Sequence, residues 1–287
     1  MSFFRNYRHD EKRHFQFNKI YVIETLLDPD TRTGKNLFND LFKPTRYRHP
    51  WFDASYTHVT NKKQLFGLLA DIKHDALGGQ VFPWVHLEGH GNVKGLAVGK
   101  GADKTVVPWA DLGHEFRKIN VATRNNLMLA VATCHGSNIY KGIRVSERAP
   151  FFGFIAPIAE ITQQEIEEGF NTFYDRIINT NEFDQAMLAL RGGHDGTKPR
   201  FTYLHSEVAF RHVAEKMSAE LRDPTDRLVR LLGTQRVADM QARHKLTYDQ
   251  LIARTQGVLD NRDNLLKGWM DNFVMKDLGA DDGTANE

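Results

Sequence analysis

Two stretches organise this sequence: Val81-Phe-Pro-Trp-Val-His-Leu-Glu-Gly-His90-Gly91-Asn92 and Leu127-Met-Leu-Ala-Val-Ala-Thr-Cys134-His135-Gly136-Ser137. Each is an apolar run followed by a polar turn that contains glycine, and such a run is typical of a buried parallel strand. Sites in open α/β sheets form at the carboxyl ends of the strands. One turn would bring His90 there, and the other would bring Cys134, the only cysteine among 287 residues. The pattern predicts a hydrolase with a cysteine nucleophile, and a peptidase before other hydrolases.

The composition is that of an ordinary globular protein. It is 41% hydrophobic and 26% charged, with a formal net charge of +2, and this balance gives no whole-chain argument for binding nucleic acid or membrane. A single cysteine excludes an intrachain disulfide framework and is typical of a reducing compartment. No apolar run approaches the roughly 20 residues of a membrane span. We therefore expect a cytoplasmic protein.

The order of elements predicts two regions. A charged arm, residues 1–16, precedes a first strand at 18–24, and strands and helices then alternate to about residue 217. A helix at 35–42 should end at Pro44, and a small hairpin at 92–107 should lie outside the main sheet. Beyond the last predicted strand, 201–205, only helical patterns remain. The sequence therefore predicts an α/β domain over 1–217 and a helical C-terminal extension over 218–287.

Peptide hydrolysis by cysteine needs a nucleophile, a proton donor for the leaving amine and hydrogen-bond donors for the oxyanion. Cys134 would be the nucleophile and His90 the proton donor. The backbone N–H groups of Gly91 and Cys134 would form the oxyanion hole, since glycine lets the backbone approach a substrate closely. The competing interpretation is that Cys134 is a small buried apolar residue and His90 a loop histidine.

The same blocks resemble the caspase-like cysteine peptidases, and among them the CHAT domains. Val85-His-Leu-Glu-Gly-His-Gly91 resembles the CHAT block His-hydrophobic-x-x-His-Gly, and Ala130-Val-Ala-Thr-Cys134 resembles its Leu-Ser-Ala-Cys block. The resemblance covers roughly residues 19–213 and departs from the family pattern after Cys134, where His135-Gly-Ser replaces x-Thr-Gly. It implies a caspase-like α/β/α sandwich with a mostly parallel central sheet, and His90 and Cys134 as the catalytic dyad.

Three residues are candidates for the substrate pocket. Arg32 stands in Arg32-Thr-Gly34, which resembles the Arg-x-Gly of caspases, where the arginine receives an acidic residue before the cut. Glu24 and Glu160 lie at other strand ends, as do Asp28 and Asp30, and would instead receive Arg or Lys. A solvated loop charge remains the alternative for each of them.

His86 is predicted either to contact a residue of the dyad without contacting substrate or to belong to the core. Because His86, Glu88 and His90 alternate along one strand, a zinc site is an alternative. Side chains in extended spacing do not converge readily on one ion, so we expect neither a metal nor a cofactor.

The leading function is a regulated endopeptidase that cleaves a protein substrate. The resemblance associates such peptidases with control by a partner or signal, often in bacterial defence. The helical extension would be the surface for a regulatory partner. Two alternatives remain: a catalytically inactive relative that only binds partners, and an amidase or esterase acting on small molecules.

Overall fold

A six-stranded sheet with a separate hairpin forms the centre of the molecule. The computed structural model describes residues 15–27, 29–100, 104–191, 200–220 and 262–278, together with seven isolated positions between 242 and 253. The strands are β1 Lys19–Glu24, β2 Asp53–His58, β3 Pro83–Glu88, β4 Gly95–Val98, β5 Thr105–Pro108, β6 Met128–Ala132, β7 Gly153–Pro157 and β8 Phe201–His205. Strands β4 and β5 form the hairpin, outside the main sheet as predicted.

The main sheet has the order β2-β1-β3-β6-β7-β8. Every neighbouring pair is parallel except β7 and β8, which are antiparallel. Strands β3 and β6 are buried along their whole length, as expected for strands covered on both faces. The prediction of an α/β fold with a mostly parallel sheet is confirmed. The two stretches that organise the sequence lie side by side at its centre.

Helices cover both faces of the sheet. They are α1 Thr33–Leu37, α2 Lys43–Arg48, α3 Lys62–Leu77, α4 Trp109–Ala122, α5 Gln163–Thr180, α6 Phe183–Arg191, α7 Ser206–Glu220 and α8 Arg262–Phe273. Two separate clusters of buried side chains lie between helices and sheet, one containing α3, α4, α7 and α8 and the other containing α5 and α6. The arrangement has three layers, with the sheet in the middle. No helix in the described part of the chain is long and apolar enough to cross a membrane.

Local sequence signals account for several helix starts. Asn61 accepts a hydrogen bond from the Gln64 N–H at the start of α3. Thr162 and Glu165 form the predicted reciprocal capping box at the start of α5. The apolar face predicted for α5 is buried against the sheet: Ile166, Phe170, Phe173 and Ile177.

Two predictions near the N-terminus are wrong. Pro44 does not end a helix: α1 passes into a π-helical turn, Phe38–Phe42, and α2 follows with Pro44 in its first turn. Proline lacks an N–H, and the first turn of a helix does not need one. Residues 1–16 are not a wholly solvated arm, because the Phe15 side chain is buried and packs edge-on against Trp84. Residues 1–14 lie outside the described residues.

The last described helix, α8, packs on the same core as the sheet. Helix α7 runs through the predicted boundary at residue 217 without a break. Further along, Phe273 is fully buried and its ring lies 5.1 Å from that of Phe210 in α7. The Ala149 N–H donates to the Phe273 carbonyl at 2.9 Å. The last described helix is therefore continuous with the α/β core rather than a separate surface.

Candidate active site

The turns after β3 and β6 touch each other at the carboxyl edge of the sheet. A methyl group on Gly91 would lie 2.6 Å from the Cys134 carbonyl oxygen and 2.6 Å from the Thr133 hydroxyl oxygen. Real Cβ atoms do not approach other atoms so closely, so only glycine fits at this position. The predicted meeting of the His-Gly turn and the cysteine turn is present in the structure.

Cys134 lies directly after β6 and is half-buried. Its Sγ lies 3.5 Å from the Ile161 carbonyl oxygen, in the segment that follows β7. The next residue, His135, has a left-handed backbone with φ of 56° and caps a 3₁₀ helix, Gly136–Gly142. The His135 N–H donates to the Ala159 carbonyl at 3.1 Å. These bonds reverse the chain sharply at Cys134 and fix the thiol at the end of the strand.

The two predicted oxyanion donors, Gly91 and Cys134, lie on turns that contact each other. Within the described ranges, neither the Gly91 N–H nor the Cys134 N–H donates a hydrogen bond. The bonds on either side of Gly91 are made, with the Asn92 N–H donating to Gly95 and the Ala97 N–H donating to the His90 carbonyl. An oxyanion hole needs N–H groups that make no bond within the protein, and these two meet that condition.

His90 is oriented by Asp30. The imidazole is 65% exposed, and its Nε2 lies 2.9 Å from Asp30 Oδ2. Because a carboxylate oxygen only accepts, Nε2 is the donor in this hydrogen bond. In the described chain no hydrogen bond joins His90 to Cys134. The structure therefore shows an exposed imidazole that contacts Asp30 through Nε2 and stands on the turn that touches the cysteine turn.

No protein-family model and no curated protein matches this chain.

A buried network of polar side chains lies beneath the two turns. The carboxyl network, as we name it, comprises Glu24, Glu88, His86, Tyr174, Tyr56 and Thr33. Glu24 and Glu88 are opposite each other on β1 and β3, and both are buried. Glu24 accepts from the Tyr56 hydroxyl at 2.5 Å, and His86 Nε2 lies 2.9 Å from Glu88 Oε1. These contacts join polar groups from β1, β2, β3, α1 and α5.

Burial sets the titration of this network. It raises the pKa of Glu24, and the neighbouring Glu88 raises it further, although the hydrogen bonds from Tyr56 and Gly34 oppose the shift. Burial and the hydrogen bond to Glu24 together raise the pKa of Tyr56 to about 12. Burial also raises the pKa of Tyr174. Both tyrosines therefore keep their protons and act as donors near neutral pH.

The structure places His86 in this network and not beside the dyad. Its side chain is fully buried, and its Nδ1 lies 3.0 Å from the Tyr174 hydroxyl. Within the described residues no group of three or more His, Cys, Asp and Glu side chains is arranged to hold a metal ion. His86 and Glu88 face inward, whereas His90 reaches the surface, so the three do not meet at one point.

The three pocket candidates have different surroundings. Glu24 is buried, and its oxygens accept from Gly34 and Tyr56. Arg32 lies with one guanidinium nitrogen 3.9 Å from Glu24, so its positive charge is compensated inside the protein. Glu160 is exposed and stands between Ala159 and Ile161 in the sequence. The carbonyls of these two neighbours contact His135 and Cys134, respectively. Of the three, Glu160 is the charge presented to solvent beside the thiol. Asp28 lies outside the described residues.

Sequence reasoning missed two features of the site. Asp30 was grouped with the pocket charges, but it contacts His90. Thr33, Tyr56 and Tyr174 were not recognised, although they donate to the buried carboxylates and His86. A glutamate at the end of an apolar strand, as in Glu24 and Glu88, was the available signal, because a charge at a buried position needs partners.

Proposed function

We propose that this chain is a cysteine endopeptidase in which Cys134 attacks the peptide carbonyl and His90 protonates the leaving amine. The observation that supports it best is the contact between the two turns. It brings the turn with the only thiol in the chain against the turn with Gly91. A thiol, an oriented imidazole and an oxyanion hole are the parts that acyl transfer to cysteine needs.

The proposed reaction assigns one step to each of these groups. The Cys134 thiolate forms a bond to the scissile carbonyl carbon, and the oxyanion accepts hydrogen bonds from the two N–H groups. The C–N bond then breaks as protonated His90 gives its proton to the amine. Water attacks the resulting thioester, with His90 as base, and releases the acid and the free thiol. Asp30 would stabilise the imidazolium and keep Nε2 protonated, so that proton transfer uses Nδ1.

The proposal includes the resemblance to caspase-like peptidases, and to CHAT domains among them, which rests on the sequence blocks around His90 and Cys134. Two adjacent parallel strands ending in the histidine and cysteine turns support it. Control by a protein partner or a signal, and a role in bacterial defence, are part of the same proposal. They rest on the resemblance.

The test is labelling of Cys134 by peptide electrophiles that vary at the residue before the reactive group. Because the chain has one cysteine, intact mass reports this site alone. We expect peptidyl acyloxymethyl ketones to label the wild type much faster than iodoacetamide does, and His90→Ala to remove this advantage. Cys134→Ser, which should not be labelled, is the control.

Equal labelling by peptidyl and non-peptidyl reagents, unchanged in His90→Ala, would contradict the proposal. Fast turnover of small esters without cleavage of any peptide would favour the esterase alternative.

A further inference from the structure

The segment between β1 and α1 carries Asp30 to His90. We call residues 30–34, which include the first two residues of α1, the Asp30 loop. Backbone bonds give it some internal order: the Asp30 N–H donates to the Leu27 carbonyl at 2.8 Å, and the Thr33 N–H donates to the Thr31 carbonyl at 3.1 Å. Short local bonds of this kind shape a loop, but they do not fix its position relative to the sheet.

The loop is attached to the sheet through two buried carboxylates. The Gly34 N–H donates to Glu24 Oε1 at 2.9 Å, and the Thr33 hydroxyl forms a short hydrogen bond to Glu88 Oε2. A methyl group on Gly34 would lie 3.2 Å from each of these two oxygens. The loop therefore contacts the ends of β1 and β3, which pair with each other. Glu88, at the end of β3, is two residues before His90.

All the donors of the network point toward the carboxylates. Tyr56 donates to Glu24, and the two ring nitrogens of His86 bridge the Tyr174 hydroxyl and Glu88. One guanidinium nitrogen of Arg32 lies 3.9 Å from Glu24. Among the described residues, the titratable and charged groups found at the pair are the two carboxylates, Arg32, His86 and the two tyrosines. A buried ion pair is seldom more stabilising than apolar residues of the same shape. The carboxylates therefore have a role other than filling the core.

We propose that Glu24 and Glu88 are positioning residues that hold the Asp30 loop and, through the contact of Asp30 with Nε2, fix the orientation of His90. In this inference the role of His90 as proton donor rests on the proposed function, whereas the contacts that hold the Asp30 loop do not depend on it. It links the end of β1 to the proton donor that follows β3. Loosening either attachment frees Asp30, and His90 then samples both tautomers and other orientations.

The test removes one hydroxyl at a time and observes His90. Thr33→Val keeps the shape of a buried side chain and removes the donor to Glu88, and Thr33→Ser restores it. Thr45→Val is the matched control, because Thr45 is a buried threonine of α2 whose hydroxyl accepts from Arg48, outside the network. Tyr56→Phe removes the donor to Glu24 and serves if Thr33→Val does not fold.

The first measurement is the ring-nitrogen NMR spectrum of 15N-histidine protein, with His90→Gln to identify the signals of His90. We expect one tautomer in the wild type, with the proton on Nε2, and an average of both tautomers in Thr33→Val and Tyr56→Phe. Thr33→Ser and Thr45→Val should resemble the wild type. The second measurement is peptide cleavage, in which the two disruptive variants should lower kcat roughly tenfold with little change in KM, part of what acid–base catalysis contributes.

Unchanged His90 signals in folded Thr33→Val and Tyr56→Phe would overturn the inference, as would a wild-type His90 protonated on Nδ1. The same loss in Thr45→Val would also overturn it, because the effect would then be general destabilisation. If the wild type cleaves no peptide but His90 responds as described, the proposed function fails and the positioning role stands.

Discussion

Replacing Gly91 with alanine tests the contact between the two turns. The added methyl would lie 2.6 Å from the Cys134 carbonyl oxygen, whereas ordinary contacts begin at 3.4 Å. One turn must therefore move by about 0.8 Å, the difference between 3.4 and 2.6 Å. Forced overpacking of this kind costs about 1–3 kcal/mol in the free energy of unfolding. A displacement near 1 Å at reacting groups lowers the rate roughly a hundredfold.

The assay compares kcat/KM on a peptide substrate with the free energy of unfolding from urea titration. Gly67→Ala is the matched control, since a methyl there, in the exposed part of α3, meets nothing within 4 Å. It should leave activity unchanged and stabilise the helix by about 0.5–1 kcal/mol. Wild-type activity and stability in Gly91→Ala would show that the two turns are not in contact.

Three further predictions follow from burial and charge. Because burial raises the pKa of Glu24, the folded state keeps a proton that the unfolded chain loses above about pH 4.3, so the contribution of Glu24 to stability falls as the pH rises. In urea unfolding from pH 4.5 to 7.5, the free energy of unfolding of Glu24→Gln should therefore rise relative to that of the wild type. Phe273→Ala should lower the free energy of unfolding, measured by thermal unfolding, by about 3–5 kcal/mol, as for other core aromatic residues. A change near zero would show that the C-terminal helix is not part of the core. Glu160→Lys should reduce cleavage after Lys or Arg without changing Tm; unchanged selectivity on a peptide library would place the pocket elsewhere.

The strands and turns of the site were predictable because their signals are local. The apolar runs before His90 and Cys134 are buried strands, and the glycine that follows His90 is required by the contact with the cysteine turn. The Thr162–Glu165 capping box was predictable for the same reason, since three residues decide it. Local pattern therefore identified the two turns that carry Cys134 and His90.

The carboxyl network was not predictable, because its members are distant in sequence. Thr33 meets Glu88 across 55 residues, and His86 meets Tyr174 across 88 residues. No spacing rule relates such pairs, and only the strand order brings them together. Phe15 illustrates the same limit: its charged neighbours indicated a solvated arm, yet one aromatic ring is enough to anchor the chain in the core.

The most direct test of the proposed peptidase is the kinetic cycle of Cys134→Ala, His90→Ala and the double variant. If thiol and imidazole act as one unit, each single variant loses about as much kcat as the double, roughly a thousandfold or more. All three proteins should remain folded, because His90 is exposed and Cys134 is half-buried. We predict that the double variant is no worse than either single. Full activity in either single variant, or losses that add, would contradict the dyad.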